Sequence, residues 1–358
     1  MKQFFLFLLT CLCVNAFATV RTVSNNPTGL AQFNTIQDAV NASVNGDTIY
    51  VQGSPTSYAG FIIQDKRLVI IGPGWAPAQN FQPYKATIGA NVDIKGTASR
   101  KTELQGLDFS SSVTITSTAP DSLRFIRNQF EGPIYLGLTT VPYYGWTFEG
   151  NWFDKAFMSV GAQASVNNFL FQNNVFYAIS TNGNFVGLLT TQNILFDHNV
   201  WFGPSGTNTS PCFSGASTGM NFSNNIFVHR NAATNNTNSV FNNNITFGAG
   251  TNNPWDASFG NSDAGGNVAD QDPQMSSQSL INQGLEILLL NFTIAAGPAN
   301  NTGSDGKDMG MLFDASGSLN WSNSNMSRIP FIIDMNILTT TITAGGTLSV
   351  QVGAARNN

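Results

Sequence analysis

The segment Phe148-Glu149-Gly150-Asn151-Trp152-Phe153 decides the fold, because its pattern occurs six times along the chain. In each copy a Phe is followed three residues later by Asn, and in the first five copies a second aromatic residue follows two positions after the Asn. An earlier, degenerate copy runs from Leu104 to Phe109 and has Leu107 in place of Asn. The aligned asparagines repeat at spacings of 23, 23, 25, 26 and 19 residues, and they are Asn128, Asn151, Asn174, Asn199, Asn225 and Asn244.

A period near 23 residues, with short β-prone runs between Gly, Asn and Ser turns, is typical of a parallel β-solenoid. Successive coils stack about 4.8 Å apart, so every column of the pattern becomes a row along the axis. We expect the Phe columns to fill the interior. We expect the Asn column to form a ladder at a turn, because Asn tolerates a left-handed backbone and its amide both donates and accepts hydrogen bonds. Leucine-rich, propeller and helical repeats have a different period or residue pattern.

The composition is that of a folded protein with a hydrophobic core, and it excludes several other classes. The chain has 358 residues, of which 42% are hydrophobic and only 10% are charged, with 28 Phe and 43 Asn. Coiled coils and long solvated helices are rich in Glu, Lys and Arg, which are scarce here. The net charge of −5 provides no basic surface, so nucleic acid is not an expected partner.

The first residues have the features of an export signal. An apolar run from Phe4 to Val14 leads to Ala16-Phe17-Ala18, which is an A-x-A cleavage site. We predict a signal peptide over residues 1–18, and therefore a secreted or cell-surface protein; a lipoprotein signal ending at Cys11 is the alternative. No later segment is long enough to span a membrane, so no transmembrane segment is expected. After cleavage Cys212 stands alone, so no intramolecular disulfide is expected.

Both ends of the solenoid are expected to be capped, because a cap hides the open sheet edges. Thr35 followed three residues later by Asp38 resembles a capping box and predicts a short helix over about 35–43. The solenoid itself is predicted to have about 11 coils and a length on the order of 50–55 Å. A C-terminal extension with two or three antiparallel strands is expected to follow. The predicted bounds are 19–47 for the N-terminal cap, 48–312 for the solenoid and 313–358 for the C-terminal extension.

Several motifs resemble right-handed parallel β-helix proteins of the pectin-lyase-like superfamily. The N-terminal match is Thr35-Ile36-Gln37-Asp38-Ala39-Val40 followed by Gly46-Asp47-Thr48-Ile49-Tyr50-Val51, and the Asn-x-aromatic coils resemble the asparagine ladder of that superfamily. The segments 270–273, 291–294 and 303–310 resemble its final coils. The resemblance implies a right-handed β-helix over residues 33–312. The signal and the Asn/Phe bias resemble secreted β-helix proteins of Bacteroidetes-type bacteria.

The resemblance is specific for the fold and does not select an activity. The superfamily includes pectate lyases, polygalacturonases, pectin methylesterases, adhesins and phage tailspikes. The motif sets of polygalacturonases and pectin methylesterases are absent from this sequence. Phe196-Asp197-His198 echoes one element of the pectate lyase set, but it lies on ordinary positions of the repeat, and the second element is absent. Whether the protein is an enzyme is therefore open.

Strand alternation places the residue two before each Asn on the outside of the solenoid. In this column Glu149 and Asp197 are two coils apart, or about 9.6 Å, at the upper edge of the carboxyl separation in inverting glycosidases. The alternative interpretation is a solvated polar face. The column consists of Ile126, Glu149, Gln172, Asp197, Ser223 and Asn242.

Other candidates for binding or catalysis lie between residues 143 and 203. Tyr143 and Tyr144 are candidates for stacking on sugar rings, with core filling as the alternative. A satisfied surface side chain is the alternative for His198. The catalytic candidates are Glu149, Asp197, His198, Lys155 and Asp154, and the carbohydrate-binding candidates are Tyr143, Tyr144, Glu149 and Asp197.

Metal binding has little support in the sequence. Asp305 and Asp308 are candidate calcium ligands, and turn formation is the alternative. Neither histidine has a Cys or a second His at zinc-ligand spacing. No cofactor is expected, apart from the calcium that these aspartates could bind. The same alternatives apply to the acidic cluster Asp256, Asp263, Asp270 and Asp272.

These observations predict a secreted or cell-surface β-helix protein without catalytic activity. It would bind a polysaccharide or a cell-surface glycan, or serve as an envelope scaffold. The alternative is a polysaccharide lyase or glycoside hydrolase with its site on the side of the solenoid.

Overall fold

The protein is an all-β parallel solenoid, as predicted, and it is built around three long sheets. It was analysed as a computed structural model. The structure describes residues 18–27, 30–75, 84–115, 118–137, 141–154, 157–159, 165–177, 183–186, 190–203, 210–283, 290–312, 331–337, 345, 347 and 349–355.

Each sheet is a stack of short strands that takes one strand from each successive coil. The first sheet consists of Val20–Val23, Thr48–Val51, Val69–Ile71, Glu103–Gln105, Arg124–Ile126, Thr147–Glu149, Leu170–Gln172, Ile194–Asp197, Met220–Ser223, Val240–Asn242 and Ser262–Asp263. The second consists of Thr87–Ile88, Asp108–Phe109, Gln129–Phe130, Trp152–Phe153, Val175–Tyr177, Val200–Phe202, Ile226–Val228 and Ile245–Phe247. The third consists of Ile62–Gln64, Val92–Lys95, Val113–Ile115, Ile134–Leu136, Phe157–Ser159 and Phe185–Val186.

Further strands lie outside these three sheets. Three of them form a parallel sheet: Tyr143–Tyr144, Ser165–Asn167 and Thr190–Gln192. Two more pair in parallel, Ser217–Thr218 with Asn236–Thr237. The C-terminal region contains an antiparallel pair, Phe331–Ile337 with Val350–Ala355, of the type that was predicted there. No helix among the described residues is long and apolar enough to span a membrane.

The solenoid has about eight coils, which is fewer than the 11 predicted. The first sheet has eleven strands but the second has only eight, so eight coils contain both. One reason is that a single coil, from the strand that starts at Val69 to the strand that starts at Glu103, takes 34 residues. The predicted count assumed a period near 23 residues throughout. The larger reason is that the chain leaves the stack shortly after Ser262–Asp263, whereas the prediction continued the coils to residue 312.

Stacked aromatic rings fill the interior. Phe125 stacks on Phe148 with 4.9 Å between ring centroids, and Phe148 stacks on Phe171 with 4.7 Å. The same row continues through Phe196, Phe222 and Phe241. All of these rings are inaccessible to solvent. Their coil-to-coil separation matches the strand spacing, so each ring contacts its equivalents in both neighbouring coils.

The six aligned asparagines are buried at one corner, between the first and second sheets. Asn174 shows the arrangement: its Oδ1 accepts from the backbone N (2.9 Å) and the Nδ2 (3.0 Å) of Asn151. Its Nδ2 donates to Asn199 Oδ1 and to the carbonyl of Phe148, one coil earlier. The same bonds recur in every copy, and Asn267 extends the row by one coil. This asparagine column therefore satisfies backbone groups at a corner that no water reaches.

The left-handed backbone conformation that was expected of these asparagines is adopted by their neighbours instead. The asparagines of the column have no left-handed φ; the residue just before each of them does, as at Asn173 (φ 56°) and His198 (φ 53°). The prediction that the repeated Asn itself adopts this backbone was wrong. The turn is made one residue earlier, which frees the amide of the following Asn to point inward. The left-handed positions are Gly106, Arg127, Gly150, Asn173, His198, Asn224 and Asn243.

A short helix at Ile36–Ala42 lies against the start of the solenoid, as predicted. The Thr35 side chain caps it, because its Oγ1 accepts from Asp38 N (3.1 Å). Ile36, Ala39 and Val40 form its buried face. The strand Val20–Val23, which precedes this helix, was not predicted.

The fully buried carboxylate of Asp47 holds that N-terminal strand in place. It accepts from Thr19 N (2.8 Å) and Val44 N (3.1 Å), and lies 3.2 Å from Arg21 Nη2. Burial by itself raises the pKa of Asp47, but these hydrogen bonds and the Arg21 charge outweigh it and hold the pKa below its usual range. Asp47 therefore remains ionised and ties the first strand to the first turn.

The outer face of the second sheet is covered by the chain after the last coil. The side chains of Val175, Val200 and Ile226 point outward there, yet they are inaccessible to solvent. The covering side chains come from Met275, from a helix at Gln278–Asn282 and from a return segment, which we define as residues 290–312. The covering apolar residues are Met275, Ile281, Leu290, Phe292, Ile294, Ala299, Met309 and Met311. The interpretation of 291–294 and 303–310 as final coils was therefore wrong.

Side chains at the left-handed positions hold the return segment. Asn243 Nδ2 donates to Thr302 O (2.8 Å), and Asn224 Oδ1 accepts from Ser304 N (2.7 Å). Further along, Asn173 Oδ1 accepts from Leu312 N (2.9 Å). The order of these contacts shows that the return segment runs back along the corner, against the direction in which the coils were laid down.

Replacing Asn174 with Ala should destabilise the fold by about 1–3 kcal/mol, because it leaves buried donors and acceptors without partners in two neighbouring coils. Gln172 lies two residues earlier and is half-buried on the outside, so Gln172→Ala should cost under about 0.5 kcal/mol. Chemical denaturation of both variants measures the difference. Equal losses would contradict the structural role given to the column.

Gly310→Ala should loosen the return segment, whereas Gly306→Ala should not. Both glycines have a left-handed φ, 77° and 79°. A Cβ on Gly310 would lie 2.5 Å from Ile226 Cδ1, whereas one on Gly306 would have nothing within 4 Å. Both variants carry the same cost of a non-glycine residue in the left-handed conformation. The steric conflict with Ile226 should destabilise Gly310→Ala by a further amount of about 1–3 kcal/mol. Amide hydrogen exchange of residues 302–312 measures the effect; equal exchange in the two variants would refute it.

Candidate functional site

The predicted outward column lies on the outside of the first sheet in direct register. Glu149 pairs with Gln172, and Gln172 pairs with Asp197, so the two acids are two coils apart as expected. Ser223 and Asn242 continue the row and are also half-buried. Ile126 is the exception: it is 5% exposed and does not contribute to a polar face.

Each acid of this face contacts its own neighbours, and the two acids share none of them. Asp197 Oδ2 accepts from Gln172 Nε2 (3.1 Å), and its Oδ1 accepts from Asn224 Nδ2 (2.9 Å). Glu149 Oε2 lies 3.9 Å from Arg124 Nη2. Arg124 makes its closer contact, 2.7 Å, with Glu103. Because Gln172 stands between Glu149 and Asp197, the two carboxylates do not converge on one point.

A recess of about 510 Å³ lies further along the same face. Leu195 and Val240 provide aliphatic surface, and Val240 is 38% exposed. Amide and hydroxyl groups surround them. The lining residues are Asn193, Leu195, Asn221, Phe222, Ser223, Val240, Asn242 and Ala264. None of these side chains titrates near neutral pH, so the recess offers hydrogen bonds and apolar contact but no acid or base.

The tyrosine pair does not form a platform for sugar rings. Tyr143 is fully buried and packs edge-on against Trp146, with 5.4 Å between ring centroids. Tyr144 is half exposed. The two residues are adjacent on a strand, so their side chains point to opposite faces. Tyr143 is therefore a core residue, and the binding role proposed for it was wrong.

His198 is buried, contrary to the expectation of a surface side chain. It is 1% exposed, and its Nδ1 donates to the carbonyl of Gly310 (3.0 Å) in the return segment. Its Nε2 lies 3.5 Å from Asp305 Oδ2 and 3.8 Å from Asp197 Oδ1. The sequence could not show this, because Asp305 and Gly310 are more than 100 residues away. The contacts give His198 a role in holding the return segment.

Asp154 belongs to a polar cluster at the other end of the second sheet, which the sequence did not reveal. It accepts from Trp152 Nε1 and from Gln129 Nε2, the latter at 3.2 Å. Lys85 Nζ donates to Gln129 Oε1 (2.6 Å) and lies 3.4 Å from Asp108 Oδ2. Asp108 and Gln129 are each 3% exposed, and Asp154 is half-buried. Lys155, the remaining catalytic candidate, lies outside the described residues.

The candidate calcium ligands are engaged by the protein. Asp305 Oδ1 accepts from Lys307 N, and Asp308 Oδ1 accepts from Asn301 N. Within the part of the chain that the structure describes, no three His, Cys, Asp or Glu side chains are grouped to hold a metal ion. Asp256, Asp263 and Asp272 each accept a backbone N–H two residues later in a turn. Asp270 accepts from Gly248 N in the preceding coil (3.1 Å).

Comparisons with known proteins give no functional assignment. No protein-family model matches the chain, and no curated protein matches it. Among solved structures it is similar to the pectin methylesterase from Aspergillus niger in deglycosylated form. The identity is 14%, the match covers 71% of this chain and 92% of the other, and the TM-score is 0.39. A likeness of this extent carries no conclusion about chemistry.

Proposed function

We propose that the protein binds an extended polysaccharide or cell-surface glycan along the outer face of the first sheet and does not cleave it. Each coil places one side chain of the outward column on this face, at a step of about 4.8 Å. A repeating linear ligand suits such a repeating surface. The proposal includes export, with cleavage near Ala18, because the ligand would lie outside the cell.

The composition of the recess carries the proposal. Sugars present hydroxyl groups at their edges and C–H groups on their faces. Asn221 and Asn242 supply amides that donate and accept, while Leu195 and Val240 supply aliphatic contact. General acid–base catalysis needs a titratable group within hydrogen-bond reach of the reacting atom, and the lining contains none. This favours binding over turnover at the recess.

The alternative is a lyase or hydrolase that uses Glu149 and Asp197. Two coils at about 4.8 Å separate these residues by about 9.6 Å, just beyond the roughly 6.5–9.5 Å of inverting glycosidases. Both oxygens of Asp197 already accept hydrogen bonds from amides, and Gln172 lies between the two acids. An inverting glycosidase holds its attacking water between the two carboxyl groups, and the Gln172 side chain lies there.

Glycan binding should depend on the amides of the recess. We expect Asn221→Ala and Asn242→Ala each to weaken binding of a glycan identified on an array by about tenfold, which corresponds to about 1.4 kcal/mol. Gln64→Ala is the control, because Gln64 is an exposed amide on a strand of the third sheet. Titration calorimetry measures the three affinities. Equal weakening by all three variants, or by none, would refute binding at the recess.

Turnover should be absent from the wild-type protein and from the double variant Glu149→Gln, Asp197→Asn. Assays for new reducing ends and for unsaturated products, run on the glycans that bind, test this expectation. Product release by the wild type that the double variant abolishes would establish the enzymatic alternative and end the binding-only proposal.

A further inference from the structure

Arg230 is a buried charge that the described protein does not neutralise. Its side chain is inaccessible to solvent, just beyond the strand Ile226–Val228. Nη2 donates to Asn184 Oδ1 (2.8 Å) and to the carbonyl of Pro211 (2.7 Å), which are both neutral acceptors. Nε and Nη1 have no oxygen or nitrogen partner. The guanidinium also contacts the Cys212 thiol, which is a weak acceptor. Among the ion pairs of the described residues, none includes Arg230.

The neighbouring thiol cannot serve as the counter-charge at neutral pH. Cys212 is a free, fully buried cysteine beside the guanidinium. Burial raises the pKa of Cys212 to about 12, and the attraction of Arg230 offsets this only in part. The thiol therefore keeps its proton, while an arginine remains charged. A buried charge without a partner costs several kcal/mol, so a neutralising group is required for a stable fold.

A second unpartnered donor lies next to Arg230. The chain around Pro211 pairs in parallel with the chain around Asn231, which makes Ser210 and Arg230 neighbours in adjacent coils. The backbone bond from Asn231 N to Ser210 O (2.9 Å) fixes this register. Ser210 is 1% exposed, and its Oγ has no hydrogen-bond partner. The guanidinium N–H groups can only donate and the Ser210 hydroxyl can donate, so together they suit an electron-rich ligand.

We propose that Arg230, with Ser210 beside it, forms an interior site for a small monovalent anion of the halide class, such as chloride. A halide neutralises the guanidinium and accepts hydrogen bonds from several directions. Its single charge and weak hydration keep the cost of burial low. The complete burial of Arg230 excludes an extended glycan, and a multiply charged anion such as phosphate would cost more to bury than a monovalent one. The site is therefore separate from the glycan-binding face and independent of that proposal.

Stability should depend specifically on halide concentration. The wild-type protein is unfolded in urea at constant ionic strength, with chloride exchanged for gluconate. Once the site is near saturation, the unfolding equilibrium constant should fall tenfold for each tenfold rise in chloride concentration. Arg230→Met replaces the charge with an apolar side chain of similar length and should remove this dependence. Arg100→Met is the control, because Arg100 is exposed, and it should keep the dependence.

Crystals of the wild-type protein soaked in bromide provide a second test that needs no variant. An anomalous peak within hydrogen-bond distance of Arg230 is the expected result. A halide-independent unfolding midpoint, or a crystal without a bromide peak at this position, would overturn the proposal. Thiolate absorption at neutral pH that disappears in Cys212→Ser would also overturn it, because it would identify Cys212 as the counter-charge.

Discussion

The hydrogen bonds of the asparagine column are the interaction on which the rest of the structure depends. A solenoid corner turns the backbone sharply and buries peptide groups that cannot pair within a sheet. At each coil the Asn side chain accepts a hydrogen bond from the equivalent Asn one coil earlier and donates one to the equivalent Asn one coil later. Asn174 does this with Asn151 and Asn199. A carboxylate or a lysine could fill only half of this role and would bring an unpaired charge into the interior. The neutral amide does both, so one residue type suffices at this corner in each coil from Asn128 to Asn244.

The register set at this corner determines what every other column can do. Once the corners are aligned, the aromatic residue three positions earlier stacks on its equivalents, and the residue two positions earlier forms a row on the outer surface. The residue just before the Asn adopts the left-handed turn and projects outward, where Asn173, His198 and Asn224 contact the return segment. A single repeat thus supplies the core, one exposed face and the attachment of a covering segment.

The sequence predicted the features that repeat or that depend on neighbours in the chain. These include the solenoid, the stacked Phe columns, the capped helix at Ile36–Ala42 and the outward row containing Glu149 and Asp197. It could not place the return segment, because a contact such as that of His198 with Gly310 joins residues far apart that share no periodic pattern. The sequence does contain one sign of the cover. The residue after each Asn lies on the outside of the second sheet and changes from polar to apolar along the chain, as Gln129, Trp152, Val175, Val200, Ile226 and Ile245. An apolar outer face predicts a cover.

That cover also explains why the candidate binding face is on the first sheet. The return segment and the helix at Gln278–Asn282 occupy the outside of the second sheet from Trp152 onward, so no ligand can lie along it there. The first sheet keeps an exposed row of amides and hydroxyls, with Asn221, Ser223 and Asn242 around aliphatic side chains. Amides of the kind that satisfy the buried corner thus recur outside, where their partners would be hydroxyl groups. A chain with few charged residues gains from this chemistry, because neither burial nor sugar recognition requires an ionised group. Arg230 departs from that rule, because it is a permanent charge that is buried without a charged partner among the described residues. The proposed counter-ion would make its burial consistent with the rest of the interior.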